Sequence, residues 1–223
     1  MSSGVPRMQT VALIPARGGS RRLPGKNLLS FGGLPLIVWT IRAALDAGTF
    51  DKILVSSDDA EILRVSREAG AETLQRPPGL ALDDTSSMDV VWHACDSLVT
   101  NPDILVLLQP TSPLRRASDI RQSLQLLEES GAPAIVSVTD RAKHPEWAYA
   151  LDGAGRLHAR DTHPSDRVVG LNGAIYAAQL PWLRARNEFI GEGTLGYLMP
   201  AEFSADIDTL EEFEEAERLI VRP

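Results

Sequence analysis

An open α/β sheet, doubly wound and mostly parallel, is the fold predicted for this sequence, and three observations predict it. Short apolar runs of strand length recur along the chain. Segments with helical spacing separate them. A glycine-rich basic loop joins the first run to the first helix.

The apolar runs cover residues 10–14, 52–56, 103–108 and 134–138. They are continuous rather than alternating, as expected of parallel strands buried on both faces. Between them, helical spacing covers residues 36–47, 60–69, 87–98 and 118–129. From His144 to Val169 the alternation breaks. Trp147, Tyr149, an Asp152-Gly153 turn and Leu157 suit a hairpin projecting from the sheet, with the two aromatics exposed for a second subunit. The sheet resumes over residues 172–178, and a last helix runs from about Leu210 to Val221, with Thr209 and Glu212 spaced as a capping box. One domain over residues 9–223 follows, with 144–169 as its projection and 1–8 as a loose leader.

Composition limits the function before any motif does. With 223 residues, 43% of them hydrophobic, the chain can bury one sizeable core. Its net charge of -8 argues against nucleic acid or an anionic membrane as the main partner, because a field of that sign repels phosphate backbones. A lone Cys95 excludes an internal disulfide and a cysteine zinc cluster, which fits a cytoplasmic protein. No apolar run reaches the roughly 18 residues of a spanning helix, and the start MSSGVPRM has no apolar segment of the signal-peptide kind.

The stretch IPARGGSRRLPGKNL, residues 14–28, carries four cations and three glycines in that acidic background. It begins where the first strand ends, and in open α/β sheets that is the crevice where ligands bind. Gly18 and Gly19 let the backbone approach a phosphate, Ser20 adds a hydroxyl donor, and Arg17 and Lys26 supply opposing cations. The stretch departs from a Walker A loop, with Ser20 in place of the first glycine and Asn27 in place of the metal-binding hydroxyl residue. Arg21 and Arg22 are its weakest members and read as facing water.

Asp206-Ile207-Asp208 is the second constellation. In an extended stretch both carboxylates share a face while Ile207 packs inward. Such a pair suits magnesium, which takes a few carboxylates together with substrate phosphates and water. Taken alone, Asp208 serves equally well as a charge at the start of the last helix. Beside a phosphate loop, the metal reading prevails. Ser56 to Asp59 read as a loop and helix cap, as do Ser118 and Asp119. His93, His144, His158 and His163 lack ligand spacing.

IPARGGSRRLPGKNL, QRPPGLALDDTSS, LLQPTSPLR, LNGAIY and DIDTLEEFEEAE occur in the order and approximate spacing of the acylneuraminate cytidylyltransferases, the CMP-sialic acid synthetases. The sequence resembles that family from Val11 to its last helix. The resemblance implies a Rossmann-like nucleotidyltransferase domain that joins CMP from CTP to a sugar acid with release of pyrophosphate. It further implies magnesium as cofactor and a homodimer formed through the projecting segment.

Carried over position by position, the resemblance gives Arg17 and Lys26 the triphosphate, and Asn27, Arg76 and Ser87 the cytosine side. Gln109, Asn172 and Tyr176 fall on the acceptor side, and Asp206 and Asp208 on the metal. Two departures stand out. Leu82-Asp83-Asp84 replaces the family's usual Ser-Asp-Thr before Ser87. Gly170 stands where sialic acid enzymes carry an Arg two positions before the Asn-Gly pair, and residues 158–169 contain no Gln, which leaves Arg160 or Arg167 for the acceptor carboxylate. The expected acceptor is a nine-carbon acid such as a sialic, legionaminic or pseudaminic acid. The alternatives are the eight-carbon acid KDO, a phosphonate, or a different NTP used with a sugar phosphate.

Overall fold

The computed structural model describes residues 8–82, 84–140, 143–158 and 167–220. In chain order its elements begin with β1 (Thr10–Pro15), the small hairpin β2 (Ser30–Phe31) and β3 (Leu34–Pro35), α1 (Leu36–Ala47), β4 (Lys52–Ser57), α2 (Ala60–Glu68) and β5 (Glu72–Gln75). There follow α3 (Ser87–Ser97), β6 (Ile104–Leu107), α4 (Ala117–Ser130) and β7 (Ala134–Thr139). The last third holds β8 (Ala148–Leu151), β9 (Leu157–His158), β10 (Arg167–Gln179), α5 (Leu180–Arg186), β11 (Leu195–Leu198) and α6 (Leu210–Arg218).

The main sheet runs β11-β7-β10-β6-β1-β4-β5, with the β8–β9 hairpin attached to β10. β1 pairs in parallel with β4 and β6, and β4 with β5. Alternate residues feed two cores: Ala12 and Ile14 of β1 face α1, α2 and α4, while Val11 and Leu13 face α3 and α5. Each face is covered by helices, which is why these strands read as unbroken apolar runs. A third, smaller cluster gathers Leu23 of the basic loop, Phe31, Leu36, Ile207 and Phe213. It clamps that loop to α6, with Phe31 and Phe213 edge to face at 5.1 Å.

Local chemistry fixes the helix ends. Asp59 caps α2 through its carboxylate to the amides of Glu61 and Ile62, and Ser86 and Asp89 form a capping box on α3. The expected box of Thr209 and Glu212 is present on α6. Gly48 and Gly131 end α1 and α4 in the left-handed region that glycine adopts without strain.

Two expectations are corrected, and the parallel series holds with one insertion. β7 keeps the direction of the parallel strands and pairs in parallel with β11, but β10 lies between it and β6 and is antiparallel to both. Trp147 and Tyr149 are half-buried rather than exposed, since each turns toward a cleft. Asp119 is the third residue of α4 rather than its cap; wholly buried, its carboxylate accepts from the Arg116 amide at 2.9 Å. The hairpin does form: Asp152 holds its turn by accepting from the amides of Ala154 and Arg156, and β8 pairs along β10. Residues 159–166 of the projection, with Arg160 and His163, lie outside the described residues, as do the leader's residues 1–7 and Asp83.

Candidate active site

The parallel strands β1 and β6 deliver their last residues, Pro15 and Leu107, to one crevice of about 820 Å³. Seven of the residues expected at the site line it: Arg17, Lys26, Asn27, Arg76, Ser87, Gln109 and Asp208. No histidine is among its lining residues.

One wall is the basic loop. Asn27 is 6% exposed, and its Nδ2 donates to the Arg17 carbonyl at 3.0 Å, which fixes the amide's orientation. Its Oδ1 is buried with no hydrogen-bond partner. Gly18 serves a neighbour rather than a phosphate: its amide donates to Asp58 Oδ1 at 3.0 Å, and a Cβ there would lie 2.8 Å from Asp59 Oδ2. Lys26 Nζ donates to the Ile207 carbonyl at 2.7 Å and pairs with Asp208 at 3.1 Å. Arg22 faces water as expected, with its side chain 65% exposed, and its guanidinium also reaches Asp208 at 3.1 Å. That contact follows from the third core cluster, which draws the loop and α6 together.

Across the crevice, Arg76 is 4% exposed and anchored on Ser56, donating Nη2 to its carbonyl at 2.7 Å and Nε to its hydroxyl at 3.2 Å. Burial lowers its pKa, and the charge of Asp58 opposes that shift. Ser87 is exposed at the first turn of α3.

The floor is built on the turn after β6. The buried Arg115 guanidinium donates to the carbonyls of Gln109 and Ser112 and to the Thr40 hydroxyl, which locks this turn. Burial brings its pKa down to about 9 against the pull of Asp119. The turn aims Gln109 and Thr111 at the site, and the Thr111 carbonyl accepts from the Ile207 amide at 2.8 Å. Ile207 is fully buried, so Asp206 and Asp208 share the opposite face as expected.

The two carboxylates differ in environment. Burial pushes the Asp206 carboxyl above the usual range, against its Thr111 hydrogen bond and the Lys143 charge. Burial acts the same way on Asp208, but Lys26 and Lys143 outweigh it and hold that group below the usual range. Lys143 Nζ lies 3.3 Å from Asp208 Oδ2 and 3.8 Å from Asp206 Oδ2. One cation thus already sits where both carboxylates converge. Among the described residues no three His, Cys, Asp or Glu side chains gather as a metal cage, so the protein offers two carboxylates and leaves the remaining positions open. That donor set suits magnesium better than a metal needing a full protein cage.

The remaining expected residues lie to either side. Tyr176 lines an adjoining hollow of about 320 Å³ with Tyr149, Phe189 and Ile190, and this hollow meets the main crevice at Ser87, Leu107 and Gln109. Burial raises the Tyr176 hydroxyl to about 12. Asn172 takes a structural position. It sits in the irregular stretch of β10, where Oδ1 accepts from the Ser137 hydroxyl and the Ala174 amide and Nδ2 donates to Ser204 Oγ. Gly173 beside it has φ 74°, and a Cβ there would stand 3.0 Å from Gln109 Oε1, so this backbone passes directly under the Gln109 side chain. Arg167 pairs with Asp140, away from the crevice lining.

Sequence reasoning missed Lys143 and Arg115. Lys143 is far along the chain from the carboxylates it meets and carries no local signal. Arg115 ends the LLQPTSPLR motif beside Arg116, and nothing local separates the buried member of that pair from the exposed one.

Residues 11–219 match the family described as Cytidylyltransferase. The N-acylneuraminate cytidylyltransferase of Escherichia coli O18:K1:H7 is 35% identical across 93% of this chain and 51% of that one. The enzyme of the same name from Streptococcus agalactiae serotype III is 33% identical, covering 92% and 52%. This chain therefore spans about half the length of these relatives. The CMP-N,N'-diacetyllegionaminic acid synthase of Legionella pneumophila is 34% identical across 91% of this chain and 92% of its own. Among solved structures, a CMP:2-keto-3-deoxy-manno-octonic acid synthetase complexed with CTP shares the fold, with a TM-score of 0.75 at 20% identity and coverage of 95% and 98%. A 4-diphosphocytidyl-2C-methyl-D-erythritol synthase from Anaerococcus prevotii shares it less closely, with a TM-score of 0.64 at 12% identity and coverage of 95% and 97%.

Proposed function

This chain belongs to the cytidylyltransferase family, and from that premise we propose that it transfers CMP from CTP to a hydroxyl of a nine-carbon, sialic-acid-like sugar acid, releasing pyrophosphate. The observation that carries the choice of donor is the orphaned Asn27 Oδ1. A buried acceptor without a partner is costly, and the exocyclic amine of cytosine is a donor that satisfies it. Uracil presents a carbonyl at that position and would leave two acceptors face to face. Arg76, on the facing wall, supplies donors for the base carbonyl.

The acceptor hydroxyl attacks the α-phosphorus of CTP in line with the departing pyrophosphate. A new O–P bond forms, the α–β bridging P–O bond breaks with its electron pair leaving on pyrophosphate, and the hydroxyl proton passes to solvent water. Arg17 and Lys26 orient the triphosphate and offset its charge, while Gln109 and Tyr176 border the acceptor. Asp206 and Asp208 would hold magnesium, which would supply charge neutralisation for the phosphates and a lowered pKa for the attacking hydroxyl. The hollow of Tyr149, Tyr176, Phe189 and Ile190 supports a large acceptor with apolar substituents, and the Legionella relative, matched over nearly its whole length, supports the same class. The reaction is placed in the cytoplasm, where CTP is supplied; among the described residues no helix is long and apolar enough to cross a membrane.

The test is pyrophosphate release from CTP, UTP, GTP and ATP with a panel of sialic, legionaminic and pseudaminic acids, KDO and a phosphonate. CTP is expected to exceed UTP by about 100-fold, and Asn27→Ala to cut that preference by about tenfold, as for loss of one buried hydrogen bond to a substrate. Equal use of UTP would remove the donor assignment, and turnover with KDO alone would remove the acceptor. We also propose a homodimer through residues 144–169, for which a monomeric mass at micromolar concentration in sedimentation would be contrary evidence.

A further inference from the structure

We infer that Lys143 is a resident counter-cation of the Asp206–Asp208 pair, which a metal has to displace, and that the hollow beside α6 is the second seat of its ammonium. The inference rests on the reading above that this pair holds a divalent cation.

The ammonium is held from several sides: 2.8 Å from Glu212 Oε1, 2.9 Å from the Asp206 carbonyl oxygen, 3.3 Å from Asp208 Oδ2 and 3.8 Å from Asp206 Oδ2. Four oxygens of three residues thus converge on one positive charge. A magnesium ion binding the same two carboxylates at about 2.0–2.1 Å would stand within a few ångströms of that ammonium, and two like charges at that range repel. The metal cannot shift and stay ligated, whereas a lysine swings on a flexible four-carbon stem. The ammonium therefore moves.

The place for it is beside Lys143. A hollow of about 280 Å³ opens between β10 and α6, bordered by Thr139, Lys143, Glu212 and Glu215. It holds two groups that the resting arrangement leaves unused. Thr139 Oγ1 is buried with no hydrogen-bond partner, and Glu215 has no ion pair among the described residues. Glu212 already holds the ammonium and borders the hollow, so the swing keeps one salt bridge throughout. Free metal binds weakly as a result, until nucleotide phosphates share it; metal and nucleotide enter together.

The test uses Mn2+ as probe on the nucleotide-free protein, with free ion read by electron paramagnetic resonance. Lys143→Met is expected to tighten Mn2+ binding by about tenfold, while Lys143→Arg stays within about threefold of wild type, because the charge and not the stem carries the competition. Glu215→Gln, on an exposed position that leaves the fold intact, is expected to weaken binding about threefold by removing the second seat. Adding Asp208→Asn to Lys143→Met is expected to abolish the gain. If Asp208→Asn abolishes wild-type binding but Lys143→Met binds no more tightly than wild type, the counter-cation inference is overturned and the metal reading stands. If Asp208→Asn leaves Mn2+ binding unchanged, or no variant binds the ion, both are overturned.

Discussion

Asp206→Asn and Asp208→Asn are each expected to lower pyrophosphate release by about 100- to 1,000-fold while CTP still binds, the range seen when one group stabilising transition-state charge is removed. The asparagine keeps the size of the side chain but takes one charge from the pair. Asp206 loses a carboxylate that accepts from Thr111, and Asp208 one that three cations surround. The phosphate contacts proposed for Arg17 and Lys26 are expected to remain, so binding and transfer should separate. The wild type is expected to carry a related pH signature. If Asp206 holds metal it has to be ionised, and burial raises its pKa, so turnover is expected to fall on the acid side at a higher pH than an ordinary aspartate dictates. The measurement is CTP binding and pyrophosphate release across a magnesium titration, with circular dichroism to confirm folding. Near-normal turnover in both folded variants returns the segment to the plain role of a helix start.

The second large effect is expected on the basic loop. Lys26→Met and Arg17→Ala each cost about 100-fold in kcat/KM for CTP, whereas Arg21→Ala costs less than about tenfold. The Lys26 side chain is only 11% exposed and reaches the crevice beside Asp208, with two acceptors fixing its direction. Arg17 leaves the end of β1 half-buried, and its carbonyl is held by Asn27. Arg21 is exposed, so water can replace much of what it offers. Equal losses at Arg17 and Arg21 would dissolve the distinction between wall and rim.

What the sequence revealed follows from how local each signal is. The runs at 10–14 and 52–56 are apolar because helices cover both faces of the strands, and that burial is written in the residues themselves. The caps at Asp59 and Thr209 are equally local, and the packing of Ile207 between two carboxylates needs only the period of an extended chain. β5 and β11 escaped because each is only four residues long, ETLQ with a single apolar residue and LGYL interrupted by a glycine. The position of β10 between β6 and β7 is a matter of partners, which no run of residues states. The same holds at the site. The loop and the aspartate pair were legible as motifs, but the Lys143 contacts join groups 63 to 69 positions apart in the chain. Asn172 was legible as a motif residue, and only the geometry of the β10 irregularity assigns its hydrogen bonds to Ser137, Ala174 and Ser204.

The insertion of β10 also sets an order on synthesis. β6 and β7 are made early, yet neither pairs with the other; both wait for a strand that ends at Gln179. At roughly 5–20 residues per second, a nascent chain spends seconds with one edge of β6 unpaired, although β1, β4 and β5 can already have joined its other side. An open apolar edge of that kind is a template for pairing with other chains. The newborn protein is therefore most exposed to chaperones and to misassembly before β10 has left the ribosome.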